Sequence, residues 1–287
     1  MPKTLALVPM KTRIAAIART YGAAQRRVYS ALTAVTPENY TEASAGMARR
    51  RVEAVVAVLN AAVHRWARPA IVAAYNESKG ISRTRLEMLG AKPKRSKKYG
   101  PQRHEKKIAA LTKTVIADFA KANRTILKTA RKYLAVVGYA ARKMERLQQV
   151  QAFSSQEAKG FIDKLVRTAV KATSKYNLGA AHLTTRDISR QIAARLARRI
   201  GGGDFIEING RNYSLGSYSE LVARTRMRES QTEATRELCA EYSNDLVEIP
   251  AHDNPCELCA PHQGKVYSIS GGTPGYEPLP AGGPPWH

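Results

Sequence analysis

Apolar residues recur through the first two thirds of the chain at intervals of three and four, the spacing of one face of an α-helix. Ile14, Ile17, Tyr21, Val28 and Leu32 predict a helix over residues 11–34. Thr36-Pro37-Glu38 reads as the next start, with proline at the first helical position and an acid in the first turn. Met47, Val52, Val56, Leu59, Val63 and Trp66 carry that second helix forward. Pro69 predicts a kink or an end, and Gly90 a second stop. The longest periodic stretch follows: Ile108, Leu111, Val115, Phe119, Ala122, Ile126, Ala130, Tyr133, Val137, Ala141 and Met144. Its steps repeat every 11 residues, about 3.67 per turn, which suits a nearly straight helix. Ser154 with Glu157 forms a capping box that opens a helix to about residue 176. Thr184-Thr185-Arg186-Asp187 opens another, with Ile188, Ile192, Leu196 and Ile200 inward.

The pattern changes at Gly201-Gly202-Gly203, a break that no helix tolerates. Phe205-Ile206-Glu207-Ile208 and Arg211-Asn212-Tyr213-Ser214-Leu215 flank Asn209-Gly210, the signature of a tight β-hairpin. Residues 217–241 predict a helix with Leu221, Val222, Thr225, Thr232, Ala234, Leu238 and Cys239 inward, and with its Arg and Glu residues paired along its own surface. A short strand over 246–249 ends at Pro250. The expected fold is mainly α. Residues 1–200 form a long-helix bundle or an extended helical part, and residues 201–287 a small α+β domain with a hairpin and a Cys-x-x-Cys knuckle.

Charge sharpens this division. The chain holds 47 Lys and Arg against 23 Asp and Glu, a formal charge of +24. Residues 201–287 contain six of those cations and twelve of the acids, so residues 1–200 carry about +30. So large an excess on one part points to a polyanionic partner and away from an ordinary metabolic enzyme. Hydrophobic residues make up 44%, enough for a packed core rather than a disordered chain. No apolar run reaches the 20 or so residues of a membrane span, and the first nine residues are too short for a secretory signal. Three cysteines exclude a disulfide framework and suit a reducing cytoplasm.

Two clusters of cations are the candidate DNA-contacting residues. Lys92, Lys94, Arg95, Lys97, Lys98, Arg103, Lys106 and Lys107 lie where Pro93, Gly100 and Pro101 predict a mobile basic loop, over 91–104 and its flank. Lys121, Arg124, Lys128, Arg131 and Lys132 lie on the back of the long periodic helix. Neither an aromatic stacking platform nor a short recognition-helix pattern accompanies them, so the expected contact is phosphate-driven and non-specific.

The densest chemistry lies between Ala251 and Ser268. Cys256 and Cys259 form a Cys-x-x-Cys pair in a proline-bracketed turn, and two thiolates at that spacing can grip one Zn²⁺. His252, His262 and His287 are the available further ligands. Two thiols without metal are the alternative. Cys239, alone in a helix, reads as a core residue.

The run Cys-x-x-Cys-x-x-x-x-Gly-Lys-x-Tyr-Ser, then Gly271-Gly272-Thr273-Pro274-Gly275-Tyr276-Glu277-Pro278-Leu279-Pro280, then Gly283-Pro284-Pro285-Trp286-His287, resembles the C-terminal end of bacteriophage minor capsid proteins. These are the phage Mu F-like and minor capsid protein 2 head-morphogenesis families. The resemblance covers roughly residues 204–287. It implies metal ligation by Cys256, Cys259 and His287; the family's final cysteine would follow His287, so either a longer chain supplies it or His252 or His262 completes the set. It also implies a low-copy, non-enzymatic protein inside the virion, near the portal. There it would contact packaged double-stranded DNA and could leave with it. The implied partners are the portal protein, DNA, capsid or scaffolding protein and copies of the chain itself, with the host cytoplasm as the place of assembly. The alternatives are a metal-dependent nuclease and a cellular non-specific DNA-binding protein.

Overall fold

A computed structural model describes residues 9–93, 101–149, 206–208, 211–251, 253, 255 and 257–280. Among them are four α-helices: α1 (Met10–Thr33), α2 (Glu42–Met88), α3 (Pro101–Gln149) and α4 (Leu215–Glu241). Five short strands accompany them: β1 (Ile206–Ile208), β2 (Arg211–Tyr213), β3 (Leu246–Glu248), β4 (Val266–Ser268) and β5 (Glu277–Pro278). The backbone gathers into two compact units. One comprises Met1–Ile17, Val63–Phe119 and Glu220–His287; the other comprises Ala18–Ala62 and Ala120–Ser219. Every one of the four helices contributes to both. The glycine triplet and the two helices expected between 154 and 200 lie outside the described residues.

In the unit that contains Ala18–Ala62, the periodic apolar positions form the core. Tyr21, Val28 and Leu32 of α1, Val52, Val56 and Leu59 of α2, and Ile126, Tyr133 and Val137 of α3 are all buried. The 11-residue repeat places Val137 directly below Ile126, and Tyr133 below Ala122, on one face. A polar network that runs from the core to the surface joins the three helices. The Tyr21 hydroxyl donates to Asn123 Oδ1 at 2.9 Å, and Asn123 Nδ2 donates to Asn60 Oδ1 at 2.7 Å. β1 and β2 pair antiparallel, Ile206 with Tyr213 and Ile208 with Arg211, as the hairpin motif predicts. The start of α4 is anchored on α1, where the Leu215 N–H donates to Gln25 Oε1 at 2.8 Å.

The start of α2 differs from expectation. Residues 37–39 form a turn, in which Asn39 accepts from the Thr36 N–H at 2.7 Å. The helix begins after Thr41, whose Oγ1 accepts from the Ser44 N–H at 2.9 Å, while Ser44 Oγ accepts from the Thr41 N–H at 2.9 Å. This reciprocal cap satisfies two end groups and outcompetes the Pro37 signal. It also sets the helical phase so that Ala48 is buried and Met47 is exposed.

In the other unit, Val63, Ala67, Ile71 and Tyr75 of α2, Val115 and Phe119 of α3, and Ala223, Met227, Ala234 and Leu238 of α4 are buried, and Ser230 of α4 donates to the Ile71 carbonyl at 3.1 Å. Trp66 donates its indole N–H to the Arg13 carbonyl at 2.9 Å and sets its ring edge-on to Phe119, centroids 5.9 Å apart. α2 runs through Pro69 without ending. Pro69 and Arg65, whose carbonyl it deprives of a donor, both lie on the exposed side of the helix, open to solvent. Ala67, Ala70 and Ile71 are fully buried on the other side and hold the helix together. α2 ends in a Schellman turn. Gly90, at φ 73°, lets the Ala91 N–H reach the Leu86 carbonyl at 3.0 Å and its own N–H reach Glu87 at 2.9 Å.

Pro101 opens α3 rather than preventing it, because a first-turn proline loses no helical bond. Arg103, Lys106 and Lys107 are therefore helical, against the expectation of irregular structure through residue 107. The C-terminal sheet has the order β3-β4-β5, with β3 and β4 antiparallel and β4 and β5 parallel. Asp245 ties it together. Its carboxylate accepts from the Ser268 hydroxyl, from Thr273 Oγ1 at 2.7 Å, and from Ser270 through its N–H at 2.8 Å and hydroxyl at 2.9 Å. These donors pull its pKa down to about 2.

Candidate nucleic-acid interface

The cations of α3 fall into two environments. Near its start, Arg103 donates to Glu237 through Nε and through Nη2, the latter at 3.1 Å. Lys107 donates to Glu233 and lies 3.4 Å from Glu237. Burial pushes the Glu237 carboxyl up in pKa, but Arg103 and Lys107 together outweigh it and hold the group below the usual range. The hydrogen bond to Glu233 holds Lys107 above the ordinary lysine value. Arg226 of α4 completes the seam, meeting Asp118 of α3 and Glu229 of its own helix, each at 2.6 Å. The acids of α4 were expected to pair along that helix; Glu233 and Glu237 instead reach across to α3. The phase of α4 that points them there also leaves Leu221 44% exposed, against the expectation of an inward leucine.

Further along α3 the arrangement reverses. Lys121, Arg124, Lys128, Arg131 and Lys132 are all exposed, and among the described residues none has an acidic partner within ion-pair distance. At 3.6 residues per turn the five fall within an arc of about 100°, opposite the buried Ile126–Val137 stripe. From residue 120 to 142 the helix contains no acid at all. Five cations on one solvated face, with no internal counter-charge, form a surface suited to a phosphate backbone. Of the other predicted contacts, Lys106 and Lys92 are exposed. Lys94, Arg95, Lys97 and Lys98 lie outside the described residues.

A second cationic feature was not singled out from the sequence. α1 and α2 leave an open groove of about 590 Å³ with Arg26, Arg27 and Arg51 on its walls and Ala23, Ala31 and Ala54 among its lining. Its arginines belong to different helices separated in sequence, so no charge run marks them. The spacing of Arg26 and Arg27 outside the α1 apolar stripe was the one available signal.

Of the five candidate metal ligands, Cys259 and His262 are described, and Cys256, His252 and His287 lie outside the described residues. Cys259 and His262 share one turn, the His262 N–H donating to the Cys259 carbonyl at 3.0 Å. His262 Nδ1 is 2.7 Å from the hydroxyl of buried Tyr267 on β4, which orients the ring. Among the described residues no three of His, Cys, Asp and Glu gather to hold a metal ion. Cys239 is buried in α4, a core position, and desolvation raises its pKa. Among the described residues, no helix is long and apolar enough to cross a membrane.

No curated protein and no solved structure is similar to the chain. The model of one family, described as phage minor capsid protein 2, matches residues 162–277, less than half of the chain. The matched segment includes α4, Asp245, Cys256, Cys259 and His262, and stops short of His287. By that segment the chain is similar to a phage minor capsid protein, a component of the phage head.

Proposed function

We propose that this protein is a structural, non-enzymatic component of the phage head that lies against packaged double-stranded DNA, beside the portal. The observation that carries the DNA contact is the contrast within α3. The cations at 103 and 107 are engaged by α4, whereas those from 121 to 132 face solvent together without an acid. The site beside the portal follows from the family likeness, and locating the protein in intact particles tests it.

Binding of a fluorescent 30-base-pair duplex to the full chain tests the contact. Five neutralised phosphates give a slope of log K against log salt of about −4.5, or roughly 500-fold between 50 and 200 mM. Lys121→Gln with Arg124→Gln and Lys128→Gln lowers that slope by about 2.7. An unchanged slope overturns the assignment of this face. Plasmid held with Mg²⁺ stays intact; nicking would favour a nuclease.

The same reading includes a structural zinc at Cys256 and Cys259, completed by His252, His262 or His287. The support is local: Cys259 and His262 occupy one turn, and Tyr267 fixes the imidazole as an outer partner does at metal sites. Metal analysis of the purified chain is expected to find about one zinc, lost in Cys256→Ser/Cys259→Ser together with thermal stability. Protein free of zinc, with an unchanged melt in the double variant, overturns it.

A further inference from the structure

The groove between α1 and α2 contains more charge than packing explains. Arg26 and Arg27 come from α1 and Arg51 from α2, all three exposed. None has an acidic partner among the described residues. Two acids of α2 near Arg51 in sequence are committed elsewhere: Glu53 to Arg49 at 4.0 Å and Glu42 to Arg142 at 3.7 Å. Three guanidiniums around one cleft repel each other unless an anion joins them. Between them the lining is alanine, valine and Ser30, small side chains that let a ligand's backbone approach closely. Arginine's planar fork suits phosphate oxygens.

The position of the groove matters as much as its charge. α3 packs onto α1 and α2 through Asn123, which meets Tyr21 and Asn60, and through Tyr133, which donates to the Val35 carbonyl at 3.4 Å. Its basic back lies opposite the buried stripe that meets those helices, except at one edge, where Arg131 lines a cleft with Glu42 and Arg49 of α2. On α1 the core positions Tyr21, Val28 and Leu32 turn towards the interior, which leaves Arg26 and Arg27 on the other side.

We infer that this groove is a second phosphate-backbone site, so that one copy of the protein joins two separate DNA segments. The inference rests on the α3 face being the first site. It assigns to the protein a bridging action on closely packed DNA, beyond simple contact.

A two-duplex capture assay on the full chain tests it. An immobilised duplex is loaded with protein, washed, and offered a fluorescent duplex of different sequence; binding to one duplex is measured separately by anisotropy. Wild type captures the second duplex. Arg26→Ala/Arg27→Ala/Arg51→Ala lowers capture about tenfold or more at 150 mM salt while single-duplex affinity changes little, because α3 still binds. Replacement of the three by lysine, which keeps the charge, restores most of the capture. These arginines are exposed, so an unchanged melting curve verifies folding. Capture unaffected by the triple alanine variant overturns the inference, as does its absence in wild type that binds one duplex normally. If the α3 variants bind one duplex as wild type does while the groove variant does not, the α3 reading fails and the groove is the primary site.

Discussion

The Tyr21 hydroxyl and Asn123 Oδ1 meet at 2.9 Å where neither side chain reaches solvent, Tyr21 being 0% and Asn123 2% exposed. Burial pushes the phenol pKa well above its ordinary value, so the tyrosine is a donor at every working pH. Tyr21→Phe leaves the asparagine oxygen buried without that donor and is expected to cost about 1–3 kcal/mol. Adding Asn123→Leu should return much of the loss, because the remaining partner, Asn60, is exposed and turns to water. Urea unfolding of the three variants reads this directly; a Tyr21→Phe midpoint equal to wild type would show the bond contributes nothing.

Glu237 is the point where α3 and α4 exchange charge. Glu237→Gln strips Arg103 and Lys107 of their shared carboxylate and is expected to cost about 1–3 kcal/mol at neutral pH. The folded carboxyl titrates below its ordinary value near 4.5. Its stabilisation is therefore present above that value and lost as pH falls through the lower folded one. Denaturant midpoints between pH 3 and 7 should fall with acid in wild type and fall less in Glu237→Gln.

His104 supplies a dependence at milder pH. It is buried, with Nδ1 2.8 Å from the Tyr75 hydroxyl and Nε2 3.5 Å from Glu241 Oε2, a buried oxygen that has no hydrogen bond among the described residues. Burial, and then Lys79, lower its pKa, and their effect exceeds the opposing pull of Glu241 and Glu237. The unfolded chain thus takes up a proton that the folded one resists. Stability is full above the ordinary value of 6.5 and declines as pH drops below it. His104→Gln should flatten the decline between pH 7 and 5 in thermal melts, and an unaltered slope would remove His104 from the account.

Two mid-helix glycines should respond oppositely to alanine. At Gly80 of α2 an added Cβ meets nothing within 4 Å, so Gly80→Ala gains about 0.5–1 kcal/mol from backbone entropy. At Gly138 of α3 the Cβ would stand 2.6 Å from Tyr40 Cζ and 2.7 Å from its hydroxyl. Moving that ring breaks the 3.1 Å bond from Tyr40 to Glu42, so Gly138→Ala is expected to lose about 1 kcal/mol or more. Paired calorimetric melts compare them; equal shifts would refute the close approach.

The sequence carried the helices well because each rests on one repeating signal. Val115, Ile126 and Val137 stand 11 residues apart and are all buried at 0% exposure. Single-residue punctuation was less legible. Pro37, Pro69 and Pro101 each have a local meaning that neighbours override: a better cap four residues on, a buried alanine stripe, or a first-turn position that tolerates proline. Ion pairing was legible in composition but not in direction. Glu233 and Glu237 look complementary to the arginines of α4, and only the packing of α4 against α3 reveals that Arg103 and Lys107 are their partners. The arginine groove left little trace in sequence because its three residues come from two helices, and only Arg26 and Arg27, outside the α1 apolar stripe, hinted at it.

The unpaired strip on α3 is short. From Lys121 to Lys132 the helix rises about 17 Å, the length of roughly five base pairs. The whole of α3, 49 residues, measures about 73 Å, close to two turns of duplex. A rod that touches with a quarter of its length has a small footprint and a long reach. Laid along a duplex, each copy would therefore cover far more of the DNA than it touches, and saturation would be set by the span of the helix rather than by its charged strip.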